Sequence, residues 1–176
     1  MESRSRSSVH MNEVCYVGLG SNVGDRLGFL ADGARALASD SRIAVVHSSS
    51  VYESAPIGYL DQGDFLNAVL RVRTTRSATS FLQLMMEIED LHGRQRTIHW
   101  GPRNLDLDLL LFGNCVINTP RLRVPHPHMN ERRFVLQPLL EISPELVHPQ
   151  SGRSMAEYLY DLSNGSVRKM DLLRWN

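Results

Sequence analysis

The chain has 176 residues, 42% of them hydrophobic and 22% charged, and its 19 basic and 19 acidic residues balance. That composition excludes a wholly disordered, collagen-like or coiled-coil chain, and the zero net charge argues against a surface coated in positive charge for bulk nucleic-acid or membrane binding. Every basic residue except Lys169 is Arg. Codon bias accounts for that excess as a set, but Arg grips phosphate and carboxylate through a planar fork, so the placement of the arginines matters. Cys15 and Cys115 have neither disulfide nor metal spacing; both lie in apolar runs and are expected to be buried thiols in a reducing cytoplasm. Residues 1–11 lack the apolar stretch of a secretory signal and are expected to be a disordered extension. Residues 12–176 are expected to form a single domain, and no apolar run reaches the ~20 residues that span a bilayer.

Val14 to Gly20 is a β-rich run ending in glycine, a first strand. Ser21 to Asp25 is a turn, with Asp25 capping a helix whose apolar positions Phe29, Leu30, Ala34, Leu37 and Ala38 recur at helical spacing to about Ser39. Ile43 to Tyr52 is β-branched and predicts one strand. Ser54 to Asp64, with Pro56, Gly58 and Gly63, is a long loop of the kind that binds ligands. Asn67 to Thr74 alternates as a third strand, hairpin partner of the second. Ser77 to Leu91 is an amphipathic helix ended by Gly93, and 94–104 is a second long loop. Leu105 to Phe112 is a fourth strand, followed by a Gly113-Asn114 hairpin turn into Cys115 to Asn118. Helices are predicted over Glu131 to Leu140 and Met155 to Leu162. The order β-α-β-β-α-β predicts an α+β fold with a ferredoxin-like βαββαβ core, an additional hairpin and C-terminal helices.

The chemistry concentrates in the fourth strand. Alternation points Asp106 and Asp108 to one side and Leu105, Leu107 and Leu109 to the other, with the carboxylates about 6–7 Å apart at Cα. Such a pair can hold one or two hard cations, although D-x-D alone is equally the alternating charge of a solvated sheet edge. Between Gly93 and Phe134 lie seven arginines (Arg94, Arg96, Arg103, Arg121, Arg123, Arg132 and Arg133) against Asp106, Asp108 and Glu131. Two carboxylates among many guanidiniums suit a magnesium polyphosphate, with Arg103 the strongest individual candidate and Arg121 and Arg123 readable as solvated surface. His126, between Pro125 and Pro127, can contact phosphate as a neutral or charged ring or serve only the loop; for His128 the structural reading is favoured. Gly18-Leu-Gly20 is not the G-x-x-x-x-G-K-S/T loop. Tyr52, Tyr59, Phe65, Trp100 and Phe134 are aromatics around the long loops. Two of them facing a pocket would sandwich a flat heterocycle, whose edge the Asn67 amide can read as donor and acceptor.

Gly20-Ser21-Asn22, Phe65-Leu-Asn67, Gly93-Arg94, Trp100-Gly-Pro-Arg-Asn-Leu-Asp-Leu-Asp108, Leu111-Phe112-Gly113, Val124-Pro-His126 and Arg132-Arg-Phe134, in that order, resemble 6-hydroxymethyl-7,8-dihydropterin pyrophosphokinase. The resemblance runs from about Asn12 to Leu162. It implies transfer of the terminal diphosphate of ATP to the pterin hydroxymethyl oxygen with release of AMP, in folate biosynthesis, by a Mg2+-dependent transferase. Two Mg2+ ions accompany ATP and are assigned to Asp106 and Asp108. Arg94, Arg103, Asp106 and Asp108 carry the catalytic roles. Glu89, Arg94, Arg96, Trp100, Arg103, Leu109, His126 and Arg132 take ATP, and Ser54, Ala55, Pro56, Ile57, Phe65, Asn67, Trp100 and Phe134 take the pterin. Arg96 and Trp100 belong to the loop that closes over the reactants. The partners implied are ATP and 6-hydroxymethyl-7,8-dihydropterin, with no nucleic acid and no membrane, acting as a cytoplasmic monomer or weak dimer. Where many members have Thr-Pro-Pro-Leu this chain has Ser54-Ala55-Pro56-Ile57, and Phe65 stands where a Tyr is common. Two other classes compete: a ferredoxin-like RNA-binding module, which the missing basic-Gly-aromatic pattern disfavours, and a metal-dependent phosphohydrolase using the same D-x-D.

Overall fold

The computed structural model describes residues 12–93, 101–163 and 165–170. It is a mixed α/β structure whose antiparallel sheet carries helices on both faces. Strand β1 (Glu13–Ser21) lies between β4 (Phe65–Thr74) and β5 (Asp106–Phe112), and the sheet runs β5-β1-β4-β3-β8. Strands β2 (Ile43–Ser48) and β3 (Tyr52–Ser54) both pair with β4, and β8 (Val167–Lys169) pairs with β3.

Helix α1 (Arg26–Ala38) buries Leu30, Ala34 and Leu37 of the expected stripe together with Gly33, while Phe29 is half-buried and Ala38 exposed, and Asp25 caps it by accepting from the Gly28 N–H. A Cβ at Gly33 would come within 3.0 Å of the Leu105 side chain, so glycine here makes room for the residue just ahead of β5. Helix α2 (Ala78–Leu91) packs Phe81, Met85 and Ile88 against the same face, capped by Ser77 and ended by Gly93 at φ +76°. Leu30, Leu37 and Phe81 are fully buried, each contributing about 1.5–3 kcal/mol of transfer free energy. On the opposite face, α3 (Arg133–Ile142) and α4 (Met155–Asp161) cover Tyr16, Val69 and Leu110 with Val135, Leu136, Leu139 and Met155.

Four expectations change. The run Ile43 to Tyr52 is two strands, because Ser49 pairs with Val69 through both its N–H and its side chain (Ser49 Oγ accepts from Val69 N at 2.9 Å) and the ladder restarts at Tyr52. The turn at Gly113 is present, but β6 (Ile117–Asn118) pairs with β7 (Arg123–Val124) rather than folding back on β5. Cys15 is buried, its thiol pushed up to about 12 chiefly by desolvation, whereas Cys115 is exposed. The helix expected from Glu131 begins as a 3-10 turn, Met129–Glu131, before α3, while β8 was not anticipated. No described helix is long and apolar enough to cross a membrane.

Asp40, between α1 and β2, bonds Arg76 ahead of α2 and accepts from Arg42 N at 2.8 Å; the Arg76 guanidinium is the main cause that holds its carboxyl down to about 2. A depressed carboxyl stabilises the fold above its unfolded pKa near 4 and loses that contribution as the pH falls toward 2. Asp40→Asn is therefore expected to lower the unfolding free energy by about 1 kcal/mol at pH 7 and by much less at pH 2, read from urea denaturation at the two pH values.

Candidate active site

Pairing register builds the floor of the site. Gly20 is opposite Asp106 on one side and Asn67 on the other, and Gly18 is opposite Asp108 and Val69. Directly opposed residues of antiparallel strands share a face. Two adjacent rows therefore set carboxylate, glycine and Asn67 or Val69 side by side, while Leu105, Leu107 and Leu109 point into the α1/α2 core. The glycines keep the middle of each row low: a Cβ at Gly20 would stand 3.7 Å from Asn67 Oδ1, 3.8 Å from Phe65 Cδ1 and 3.9 Å from Asp106 Cβ. Their Gly-x-Gly spacing of two residues is the one signal in the sequence that could have assigned them to the site.

The floor opens into a cavity of about 290 Å3, near the lower end for small-molecule sites, walled by Ser54, Ala55, Ile57, Phe65, Asn67, Arg103, Asp106, Asp108, Arg132 and Phe134. His128 and Glu131 also reach it, which the sequence reading did not assign. Asn67 is 5% exposed; its amide nitrogen donates to Ser54 Oγ at 2.9 Å and Tyr52 O at 3.3 Å, which fixes its carbonyl edge beside Gly20. Phe134 opens α3, and the Arg132 guanidinium lies 5.8 Å from its ring centroid, a cation–π contact that orients both. Pro56 is half-buried and off the cavity wall.

The charges meet at Asp106 and Asp108. Arg103 Nη1 is 2.8 Å from Asp106 Oδ2, and Arg132 Nη1 is 3.9 Å from Asp108 Oδ2. His126 N donates to Leu110 O at 2.9 Å, which hangs the loop on β5 and leaves its Nε2 3.9 Å from Asp108 Oδ1. Burial first, then the charges of Arg132 and His128, bring His126 down to about 4, so near neutrality it is an uncharged ring and that contact is not an ion pair. Glu89 and Leu109 lie behind this wall: Glu89, 2% exposed, accepts from Leu107 N at 2.7 Å through Oε1, and Leu109 is in the core. Arg121 and Arg123 are exposed, as the solvated reading had them. Arg94, Arg96 and Trp100 lie outside the described residues.

Asn22, 8% exposed, ties the two long loops together. Its backbone N–H donates to Arg103 O (3.2 Å) and its Oδ1 accepts from Arg103 N (2.9 Å), while Nδ2 donates to Gln62 Oε1 (2.9 Å) and Gly63 O (3.1 Å). Asn104 Nδ2 donates to His92 O at 2.9 Å, joining the two ends of the second loop.

A model of the family described as 7,8-dihydro-6-hydroxymethylpterin-pyrophosphokinase (HPPK) matches residues 16–144. The chain is 46% identical over 132 residues to 2-amino-4-hydroxy-6-hydroxymethyldihydropteridine pyrophosphokinase of Bacillus subtilis (strain 168), covering 75% of this chain and 79% of that one. It is 40% identical over 143 residues to the protein of that name from Aquifex aeolicus (strain VF5), covering 81% and 88%. Folic acid synthesis protein fol1 of Pneumocystis carinii is 40% identical over 165 residues, but the chain spans only 22% of it. Among solved structures, wild-type Plasmodium falciparum HPPK-DHPS matches with a TM-score of 0.68 at 15% identity, over 88% of this chain and 45% of that one, a likeness of fold.

Proposed function

The chain belongs to the 7,8-dihydro-6-hydroxymethylpterin-pyrophosphokinase family and is a pyrophosphokinase of folate biosynthesis; we propose that the cavity between β5, the 54–64 loop and α3 is where ATP and 6-hydroxymethyl-7,8-dihydropterin react. The observation that carries this reading is the row Asp106, Gly20, Asn67, which puts a phosphate-handling carboxylate beside a recess bordered by Phe65 and Phe134. The scaffold is a ferredoxin-like βαββαβ core within one domain over 12–176, a reading supported by the sheet order β5-β1-β4 with β2 and β3 beyond.

Phe65 and Phe134 hold the flat pterin, Asn67 bonds its edge, and Ser54, Ala55 and Ile57 supply main-chain contacts. Arg103 and Arg132, with Arg94, Arg96 and the neutral N–H of His126, grip the phosphates; Glu89, Trp100 and the backbone around Leu109 border the nucleoside. Asp106 and Asp108 suit hard cations, since their oxygens share one strand face and glycines opposite leave space above them. They would hold two Mg2+ ions, whose bound charge offsets that of the triphosphate. The pterin hydroxymethyl oxygen attacks the β-phosphorus and gives up its proton, which ends in solvent, the bond from that phosphorus to the AMP oxygen breaks, and Arg94 and Arg103 stabilise the charge that develops. Ile57 and Leu60, 56% and 73% exposed, give the 54–64 loop apolar surface to bury when it closes and excludes water. The enzyme acts as a monomer or a weak dimer. A reducing cytoplasm is its compartment, supported by two free thiols.

Incubation with ATP, Mg2+ and the reduced hydroxymethylpterin should yield AMP; release of inorganic phosphate instead would favour a phosphohydrolase and overturn the reading. Phe134→Ala is expected to weaken pterin binding about tenfold while ATP affinity changes less than twofold, measured by titrating each ligand separately.

A further inference from the structure

The 54–64 loop is held at both ends by one guanidinium. Arg26 Nη1 lies 3.1 Å from Glu53 Oε1 and donates to Asp64 O at 2.8 Å, so residues immediately before and at the end of the loop share a donor. The other oxygen of Glu53 is taken by Arg168 of β8, at 2.5 Å. Strand β8 lies outside the residues matched by the family model, yet it pairs with β3 through Ser54 opposite Val167, Glu53 opposite Arg168 and Tyr52 opposite Lys169, with Met170 N donating to Val51 O at 2.8 Å. Its two cations point to opposite faces. Lys169 reaches Glu141 of α3, which also accepts from Tyr52 OH and Ser50, whereas Arg168 reaches the α1 side through Glu53. Strand β3 is thus gripped from both layers, and its last residue Ser54, with Ala55 and Ile57 beyond it, forms the cavity wall.

We propose that Arg168 on β8 is a positioning residue for the pterin-side loop: by fixing one oxygen of Glu53 it aims the other at Arg26, which then clasps both ends of the 54–64 segment. This rests on the proposed reading that the loop contacts the pterin. Arg168 is 70% exposed in its side chain, so its effect is modest and confined to the substrate whose wall it steadies. Among the described residues, no bond from β8 reaches the phosphate side of the cavity, where Arg103 and Asp106 are set by Asn22 and β1.

The test compares the wild type with Arg168→Ala and Arg168→Lys in the full chain. Amide hydrogen exchange, which needs no substrate, should show residues 54–64 exchanging several-fold faster in Arg168→Ala, with β1, β4 and β5 unchanged and Arg168→Lys restored toward wild type. Steady-state AMP formation should show the pterin KM raised about two- to fivefold, with kcat and the ATP KM within twofold. Unchanged exchange in the loop overturns the clasp. Faster exchange with equal effects on both substrates, or faster exchange throughout the sheet, overturns its positioning role in favour of general stability. Failure of the wild type to form AMP would overturn the functional reading, while the exchange result would still decide the clasp.

Discussion

Asp108→Ala is expected to abolish turnover at saturating Mg2+, lowering kcat by at least about 10³-fold, the scale seen when a preorganised charge is removed from a reacting centre. The fold should survive. Asp108 lies on the half-exposed face of β5, and alanine there leaves the Leu107 and Leu109 side of the strand untouched in the α1/α2 core. Arg132 Nη1, 3.9 Å away, would lose a partner, which by itself costs less than about 1 kcal/mol at a site open to solvent. Single-turnover AMP formation together with thermal denaturation separates the two effects. Loss of activity with an unchanged melting transition supports the metal-holding role; normal turnover removes Asp108 from it. Arg103→Ala should behave similarly but less severely, because the Arg103 charge is already partly neutralised by Asp106.

The second large effect is expected at Asn22, which touches no assigned substrate group. Its amide uses two donor hydrogens on the first loop and its oxygen on the backbone of Arg103. Asn22→Ala leaves Arg103 N and Gly63 O without these bonds at an 8%-exposed position; at about 1 kcal/mol per net bond the variant should lose roughly 2–3 kcal/mol of stability. Loosening of Arg103 and of the 54–64 loop together should lower kcat/KM about 10- to 100-fold, the scale of a misplaced reacting group. Asn22→Asp divides the effect. Its carboxylate still accepts from Arg103 N but faces Gln62 Oε1 and Gly63 O without a donor. It should therefore keep most of kcat and raise the pterin KM. Equal loss of kcat in both variants would show that the bonds to Gln62 and Gly63, lost in both, and not the bond to Arg103 N, carry the effect.

These residues differ in how openly the sequence displays them. Asp106 and Asp108 were legible because strand alternation is a local property: the leucines between and beside them belong to the core, so the carboxylates must face the other way. Helices α1 and α2 were legible for the same reason at a period of 3.6, with caps at Asp25 and Ser77. The break between β2 and β3 was not. It depends on how Ser49 meets Val69, twenty residues on, and a run of β-branched residues looks alike whether its ladder continues or not. Strand β8 is three residues, two of them charged, and only the open edge of β3 makes it a strand. Cys115 sits among apolar letters yet is exposed, because β6 pairs with β7 and not with the main sheet.

The sequence by itself determined helices α1 and α2, strands β1 and β5, the carboxylate pair, the arginine-rich segment and the family, since each is written in spacing along one stretch of chain. The tertiary structure decided what those parts do to one another. Register set Gly20 between Asp106 and Asn67, helix packing brought Phe134 to the same cavity as Phe65, and side-chain bonds turned Asn22 and Arg26 into clasps between segments distant in the chain. A local pattern fixes which face a side chain takes; only the pairing of distant strands fixes which side chains share it.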